Sequence, residues 1–186
     1  MIAVIDVDNT VVDSGYHWYQ WLELMTKAGY KYEDVCAHHN FTSVYKSIWN
    51  EKELSGEPLD YWRASNIYGD MVPYEHCIDT LKLLKNKGYK IVFVSALKGN
   101  HHKGKYEWCE KWFPFMDAFV GTKEKWTVGC DLIIDDRNEN LNMFPNDSVV
   151  KIRKNTPYSQ STELTVNLDG CMDSWLEIKE WVETWL

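Results

Sequence analysis

The sequence predicts an α/β fold: a parallel sheet of about five strands with helices on both faces, and a small helical cap inserted after the first strand. Three observations carry this. Short continuous apolar runs, the pattern of strands buried on both faces, recur along the chain. Stretches of helical periodicity separate them, which is the alternation of a parallel sheet. The long interval between the first and second runs is rich in aromatics and shows no strand pattern. Residues 1–14 and 73–186 are therefore assigned to the core and residues 15–72 to the cap.

The first strand is the run Ile2, Ala3, Val4, Ile5, which stops at Asp6. Residues 16–27 follow as a helix, with Trp18, Trp21, Leu22 and Met25 at helical spacing, and Gly29 suits its C-terminal cap. The cap continues to about residue 72, with short helices predicted over 43–50 and 58–68. Pro73 restarts the core. Residues 75–87 form an amphipathic helix through Cys77, Ile78, Leu81 and Leu84, closed by Gly88. Residues 90–95 are the second strand, joined to the first by a right-handed crossover. Residues 101–113 are a helix that ends before Pro114. Residues 118–121, 131–135 and 148–152 are the remaining strands, and 155–161 is a surface loop. The chain closes on a helix over 174–186 with Trp175, Ile178 and Val182 on one stripe, capped by Asp173 or Ser174.

Composition narrows the function. The net charge of -8 argues against a protein that coats nucleic-acid backbone, so long nucleic acid is not an expected partner; a single small phosphorylated ligand remains compatible. The five cysteines are scattered without CxxC spacing, which points to neither a disulfide framework nor a zinc site, and so to a reducing compartment. No apolar run approaches the roughly 20 residues of a membrane helix, and no secretory leader pattern is present. The expectation is a soluble, cytoplasmic protein with no membrane partner. Trp181 and Trp185, off the main stripe of the last helix, permit a homodimer.

The chemistry lies at the strand ends. Asp6 and Asp8 follow the first strand, Ser95 ends the second, and Asp135-Asp136 ends the fourth, with Lys125 ten residues before Asp135. In a parallel sheet these ends share one edge, where such sheets bind ligands. Two carboxylates about 4 Å apart repel by about 4 kcal/mol at an effective dielectric of 20, so a cluster of them calls for a cation. A hard divalent ion suits such oxygen ligands, and Mg²⁺ fits a few carboxylates plus a substrate phosphate. With the lysine and the serine hydroxyl it would stabilise a phosphoryl group in transfer.

These residues resemble the haloacid dehalogenase (HAD) superfamily. The resemblance rests on DVDNT at 6–10, FVSA with Ser95, Lys125, and LIIDDR with Asp135 and Asp136. It implies a Rossmann-like HAD core in which Asp6 is the nucleophile, forming an aspartyl-phosphate, and Asp8 the general acid/base. A carboxyl group in that role needs a raised pKa, which neighbouring carboxylates can supply. Ser95 would hydrogen-bond the phosphoryl group and Lys125 would neutralise it; Thr10 would fix the loop. Mg²⁺ would be held by Asp6, the Asp8 backbone carbonyl and Asp136, with Asp135 the second choice.

Within that superfamily the chain is similar to the 5'(3')-deoxyribonucleotidases. The segments KEKWTVGCDLIIDDR and NHHKGKYEWCEKWF carry this, as does the cap position. The branch implies a phosphomonoesterase for nucleoside monophosphates, with aromatic cap residues stacking on the base; Phe41, Trp49, Tyr61 and Trp62 are candidates. Lys98 and Lys123 are candidates for the phosphate. Three departures stand out: Asn9 where the branch has Gly, Ser95 where Thr is usual, and Ala96-Leu97-Lys98 in place of Ser-Pro. Two alternatives stay open: a HAD phosphatase for another small phosphate or a nucleic-acid 3'-phosphate end, and a non-catalytic ligand-binding module. His38-His39 and His101-His102 read as solvated or helix-start residues, Asp13 as a turn residue, and Arg137 as the partner of a carboxylate at the rim.

Overall fold

The computed structural model describes residues 1–37, 41–97, 101–145, 147–159 and 162–186. Its centre is one parallel sheet built from β1 (Ile2–Ile5), β2 (Lys90–Ser95), β3 (Ala118–Gly121), β4 (Leu132–Asp135), β5 (Val150–Lys154) and β6 (Gly170–Met172). The strand order is β3-β2-β1-β4-β5-β6. The sixth strand is one more than the sequence suggested: Gly170–Met172 is a three-residue edge with no apolar run, and it exists by pairing with β5, Ile152 opposite Gly170. β5 also lies two residues further on than expected, because it carries Lys151, Arg153 and Lys154, all buried despite their charge.

The helices are α1 (Ser14–Thr26), α2 (Tyr32–Val35), α3 (Thr42–Glu51), α4 (Cys77–Asn86), α5 (His102–Trp112), α6 (Asn138–Leu141) and α7 (Trp175–Trp185). Pro58–Arg63 is a 3₁₀ segment rather than the longer helix expected over 58–68. The two faces of the sheet are covered unequally. Ala3, Ile5, Ile91 and Phe93 pack with Leu81, Leu84, Trp108, Phe113, Trp175 and Ile178 of α4, α5, α7 and the segment after α5, and this core continues into Trp18, Leu22, Phe41, Tyr45 and Trp49 of the cap. Val4, Val92, Val94 and Ile133 on the opposite face pack with Leu141 of the short α6, Phe144 and Val149, and with the partly buried Val128, Cys130 and Leu168.

Local signals set the helix ends. Asp13 is the N-cap of α1, its Oδ1 accepting from the Tyr16 N–H at 2.9 Å. The C-cap is not Gly29 as expected but Lys27, in the left-handed region at φ 48. Gly29 turns two residues later and donates its N–H to Glu23 Oε2. Ser174 caps α7 by accepting from the Glu177 N–H, whereas Asp173 accepts from Asn155.

This topology positions the site. β1 and β4 lie side by side, and the chain leaves them toward opposite edges of the sheet, which makes the gap beyond their carboxyl ends the switch point where such sheets bind ligands. The Asp6 N–H donates to the Ile134 carbonyl at 3.0 Å, carrying the β1–β4 ladder up to the first carboxylate. The Trp175 indole N–H donates to the Thr10 carbonyl at 2.7 Å and holds the loop that follows. The cap returns to the core along α5: His101 Nδ1 lies 2.7 Å from the Trp62 carbonyl oxygen, and the Trp108 indole donates to the Met71 carbonyl. Gly104 sits under this return segment, where a Cβ would come within 2.3 Å of the Ser65 carbonyl oxygen.

Candidate active site

The loop after β1 needs a left-handed residue, and Asn9 takes it at φ 59, a conformation Asn tolerates better than most side chains. Its Oδ1 accepts from the Gly15 N–H at 2.7 Å and the Ser14 hydroxyl at 3.3 Å. Asn9 thus satisfies the backbone that a Gly would satisfy and also ties the loop to the start of α1.

Asp6, Lys125, Asp135 and Asp136 meet at the carboxyl edge of the sheet. Lys125, in a 3₁₀ turn over Lys125–Thr127, places its Nζ 2.6 Å from Asp6 Oδ1 and 2.5 Å from Asp135 Oδ2. All four residues are buried. Burial pushes the Asp6 carboxyl up, Lys125 pulls it back, and Asp135 and Asp8 push it up again, so that it stands at about 6. Asp135 is surrounded by donors: besides Lys125, the Arg137 N–H at 2.9 Å and the Asn140 side-chain amide at 2.9 and 3.0 Å. Among the described residues Asp136 receives neutral donors, the Thr10 hydroxyl at 3.2 Å and the Tyr158 hydroxyl at 2.8 Å. Burial together with the charges of Asp135 and Asp6 holds its carboxyl well above the usual range. Carboxylate oxygens of Asp6, Asp135 and Asp136 lie within 4.8 Å of one another.

Asp8 stands apart from that group. Tyr68 donates its hydroxyl to Oδ1 and Lys105 its amine to Oδ2, each at 2.6 Å. Burial alone would raise the Asp8 carboxyl, but the charge and hydrogen bonds of Lys105 and Tyr68 outweigh it and hold the group below the usual range. This corrects the raised pKa expected from neighbouring carboxylates: the side chain faces an ammonium instead. Ser95, at the end of β2, accepts from the same Lys105 at 2.9 Å.

These groups open onto one cavity of about 430 Å³ between core and cap. Asp6, Asp8, Ser95, Lys125 and Asp136 line its floor, Trp18, Phe41, Leu59 and Trp62 its cap side, and Lys123, Arg137 and His101 are also on its wall. The structure thus brings together Asp6, Asp8, Ser95, Lys125, Asp135 and Asp136, with Phe41, Trp62 and Lys123. It does not bring Trp49 or Tyr61 to the wall. Trp49 is buried in the cap, its indole donating to the Gly56 carbonyl and its ring 5.6 Å from Trp21; Tyr61 packs between Trp21 and Trp62. Lys98, His38 and His39 lie outside the described residues. His101 stands at a helix start as expected, as the N-cap of α5, but it is buried rather than solvated and faces the Trp62 carbonyl. Arg137 pairs with Glu139 at 3.0 Å.

Sequence reasoning missed Trp18, Lys105, Tyr68, Tyr158 and Asn140. Trp18 read as a packing residue of α1, yet its ring lies 5.0 Å from Phe41 and forms part of the same wall. Lys105 falls within the segment that carries the nucleotidase resemblance, so its signal was present. Tyr68 and Tyr158 lie in irregular segments with no pattern to mark them.

The fold is a parallel sheet whose switch point is filled by an aspartate-rich, lysine-bridged cluster. Residues 1–183 match the family described as "5' nucleotidase, deoxy (Pyrimidine), cytosolic type C protein", and the chain belongs to that family. The mitochondrial 5'(3')-deoxyribonucleotidase of Homo sapiens is 25% identical over 134 residues, 67% of this chain and 59% of that protein. The Mus musculus counterpart is 27% identical over 101 residues, 51% of this chain and 46% of that protein. The chain thus matches about half the length of these relatives. Among solved structures, a HAD hydrolase of Bacillus subtilis bound to magnesium superposes with a TM-score of 0.61 at 9% identity, covering 98% of each chain, which shows the shared fold.

Proposed function

We propose that the protein is a Mg²⁺-dependent phosphomonoesterase that hydrolyses nucleoside monophosphates, deoxyribonucleotides above all, through an aspartyl-phosphate on Asp6. The observation that carries this is the Asp6–Lys125–Asp136 cluster on the floor of a cavity whose other wall is the ring surfaces of Trp18, Phe41 and Trp62. A phosphate fits the floor and a base fits the rings, because aromatic faces stack on bases. The family description and the deoxyribonucleotidase relatives support the choice of substrate.

The residues present suit the metal. Asp136 is buried, raised in pKa and, among the described residues, met by neutral hydroxyls, and Asp6 beside it is also raised. Asp135 is taken up by Lys125, Arg137 and Asn140, so it supports the cluster rather than offering a ligand. Asp6, Asp136 and the Asp8 carbonyl would hold Mg²⁺, which would supply charge neutralisation for the phosphoryl oxygens.

In the first half-reaction the Asp6 carboxylate bonds to phosphorus and the bond to the ester oxygen breaks; Asp8 gives that oxygen its proton. In the second half a water attacks the aspartyl-phosphate, Asp8 takes the proton, and orthophosphate leaves with Asp6 restored. Held below its usual pKa, Asp8 already stands in the form the second half needs. A phosphate dianion beside it raises it, by like-charge repulsion, toward the acid form of the first half. Lys125 uses one N–H on Asp6 and one on Asp135, which leaves its third for a phosphoryl oxygen. All five cysteines are free thiols, in keeping with the cytoplasmic setting we assign.

The test is phosphate release from a panel of 5'- and 3'-nucleoside monophosphates, sugar phosphates and 3'-phosphorylated oligonucleotides, with and without Mg²⁺. Metal-dependent turnover highest on deoxyribonucleoside monophosphates is expected. Preference for a sugar phosphate or an oligonucleotide end would overturn the substrate assignment, and full activity after chelation would overturn the metal assignment.

A further inference from the structure

One buried amine joins the two sides of the proposed reaction. Lys105 lies on α5 and is fully buried. Its Nζ donates to Asp8 Oδ2 at 2.6 Å, to Ser95 Oγ at 2.9 Å and to the Ala96 carbonyl at 3.1 Å. An ammonium has three N–H donors, and all three are accounted for. None remains for a substrate oxygen, in contrast to Lys125. Lys105 therefore does not act on phosphate itself.

What it does is orient. Ser95 Oγ accepts from Lys105, so the serine's own hydrogen is turned away from that bond and toward the cavity its residue lines. The Asp8 carboxylate is gripped at both oxygens, by Lys105 at Oδ2 and by the Tyr68 hydroxyl at Oδ1. The Tyr68 ring also packs beneath the Lys105 amine, 5.4 Å from it. We infer that Lys105 and Tyr68 are positioning residues that set the Asp8 carboxylate, and in the case of Lys105 also the Ser95 hydroxyl, for phosphoryl transfer.

The neighbours of Lys105 show why it is held so firmly. His101, Gly104, Lys105 and Trp108 fall at i, i+3, i+4 and i+7, one face of α5. That face receives the cap's return segment at Trp62, Ser65, Tyr68 and Met71. Tyr68 thus reaches Asp8 from the cap side and Lys105 from the core side, so the grip is complete only with the cap seated on α5.

The inference rests on the acid/base role proposed for Asp8, and the test separates the two. The parent, Tyr68→Phe, Lys105→Met and Asp8→Asn are assayed for kcat/KM, which reports formation of the aspartyl-phosphate, on a deoxyribonucleoside monophosphate and on p-nitrophenyl phosphate. The nucleoside oxygen leaves only with a proton, whereas p-nitrophenolate leaves without one. A variant that merely lowers the folded fraction reduces both values alike. Tyr68→Phe is expected to lower the nucleotide value by roughly 10- to 100-fold, the worth of a hydrogen bond to a charged group, and the aryl phosphate value far less. Lys105→Met, which also releases Ser95, is expected to lower both, the nucleotide value further. If it does not fold, Tyr68→Phe carries the test alone. Parallel losses or no loss in these two variants, while Asp8→Asn shifts the ratio, would overturn the positioning role. An Asp8→Asn ratio equal to the parent's would overturn the acid/base reading, and the inference with it.

Discussion

In chelator the protein should be less stable at neutral pH than in mild acid. Asp6 and Asp136 are buried carboxyls pushed up chiefly by burial, Asp6 to about 6 from 3.8. A group raised in the folded state adds stability below its unfolded pKa, and that stability is lost as pH rises through the folded value. For Asp6 the window runs from 3.8 to about 6, so about 2 pH units at about 1.4 kcal/mol each, or about 3 kcal/mol, disappear by pH 7. Asp136 acts in the same direction. Asp8 acts in the opposite one, but its loss falls below 3.8, outside the window. About 1.4 kcal/mol of the Asp6 contribution is still present at pH 5 and is lost by pH 7.5. At about 2–4 °C per kcal/mol for a chain of this size, Asp6 alone should lower the midpoint of thermal unfolding by about 3–6 °C between pH 5 and pH 7.5 in chelator, and Asp136 adds to the drop. Mg²⁺ should recover most of this at pH 7.5 and little of it at pH 5, and Asp6→Asn should flatten the metal-free profile. The assay is thermal unfolding followed by circular dichroism across pH, with EDTA or with excess Mg²⁺. A metal-free midpoint that is flat or rises from pH 5 to 7.5 would refute the reasoning.

Other substitutions separate site from scaffold. Asp6→Asn should abolish phosphate release with the circular dichroism spectrum unchanged. Trp62→Ala, which removes a ring from the cavity wall, should weaken nucleotide binding by about 1–3 kcal/mol, read as a higher KM for nucleotides and an unchanged KM for p-nitrophenyl phosphate. Trp49→Ala, in the cap core, should instead cost about 3–5 kcal/mol of stability in urea unfolding, its effect on KM being secondary. Asn9→Gly should be tolerated because the position needs φ 59, whereas Asn9→Val should lose both the conformation and the tie to Gly15 and unfold at a lower urea concentration.

The central strands were legible in the sequence because burial on both faces leaves apolar runs, and each run ends at a residue of the proposed site: Ile2–Ile5 before Asp6, Lys90–Ser95 on Ser95, Leu132–Asp135 on Asp135. The edges were not. β6 has three residues, and β5 hides buried Lys151, Arg153 and Lys154 behind a polar pattern, their charges met by partners that only the fold supplies, such as Asn138 and Asn155 for Arg153. The same limit applied to Lys105, since a lysine on a helix ordinarily faces water and only the approach of Asp8 and Ser95 explains its burial. Helical spacing put Trp18 on the packing stripe of α1 and aromatic character put Trp49 among the base-stacking candidates, but which of them meets the cavity depends on how α1 and α3 sit against the segment around residues 56–63, which no local pattern records. The expected rise in the Asp8 pKa failed for a related reason: closeness along the chain to Asp6 says nothing about which charge its side chain turns to meet.

The central claim is that Asp6 becomes the phosphoryl carrier. The most direct measurement is rapid acid quench of the enzyme turning over a deoxyribonucleoside monophosphate with Mg²⁺, followed by mass spectrometry of its peptides. One phosphoryl group on the peptide containing Asp6, gone when substrate is exhausted and missing in Asp6→Asn, is the result expected. Steady phosphate release with that peptide unmodified throughout, or with the phosphoryl group on another residue, would contradict the account.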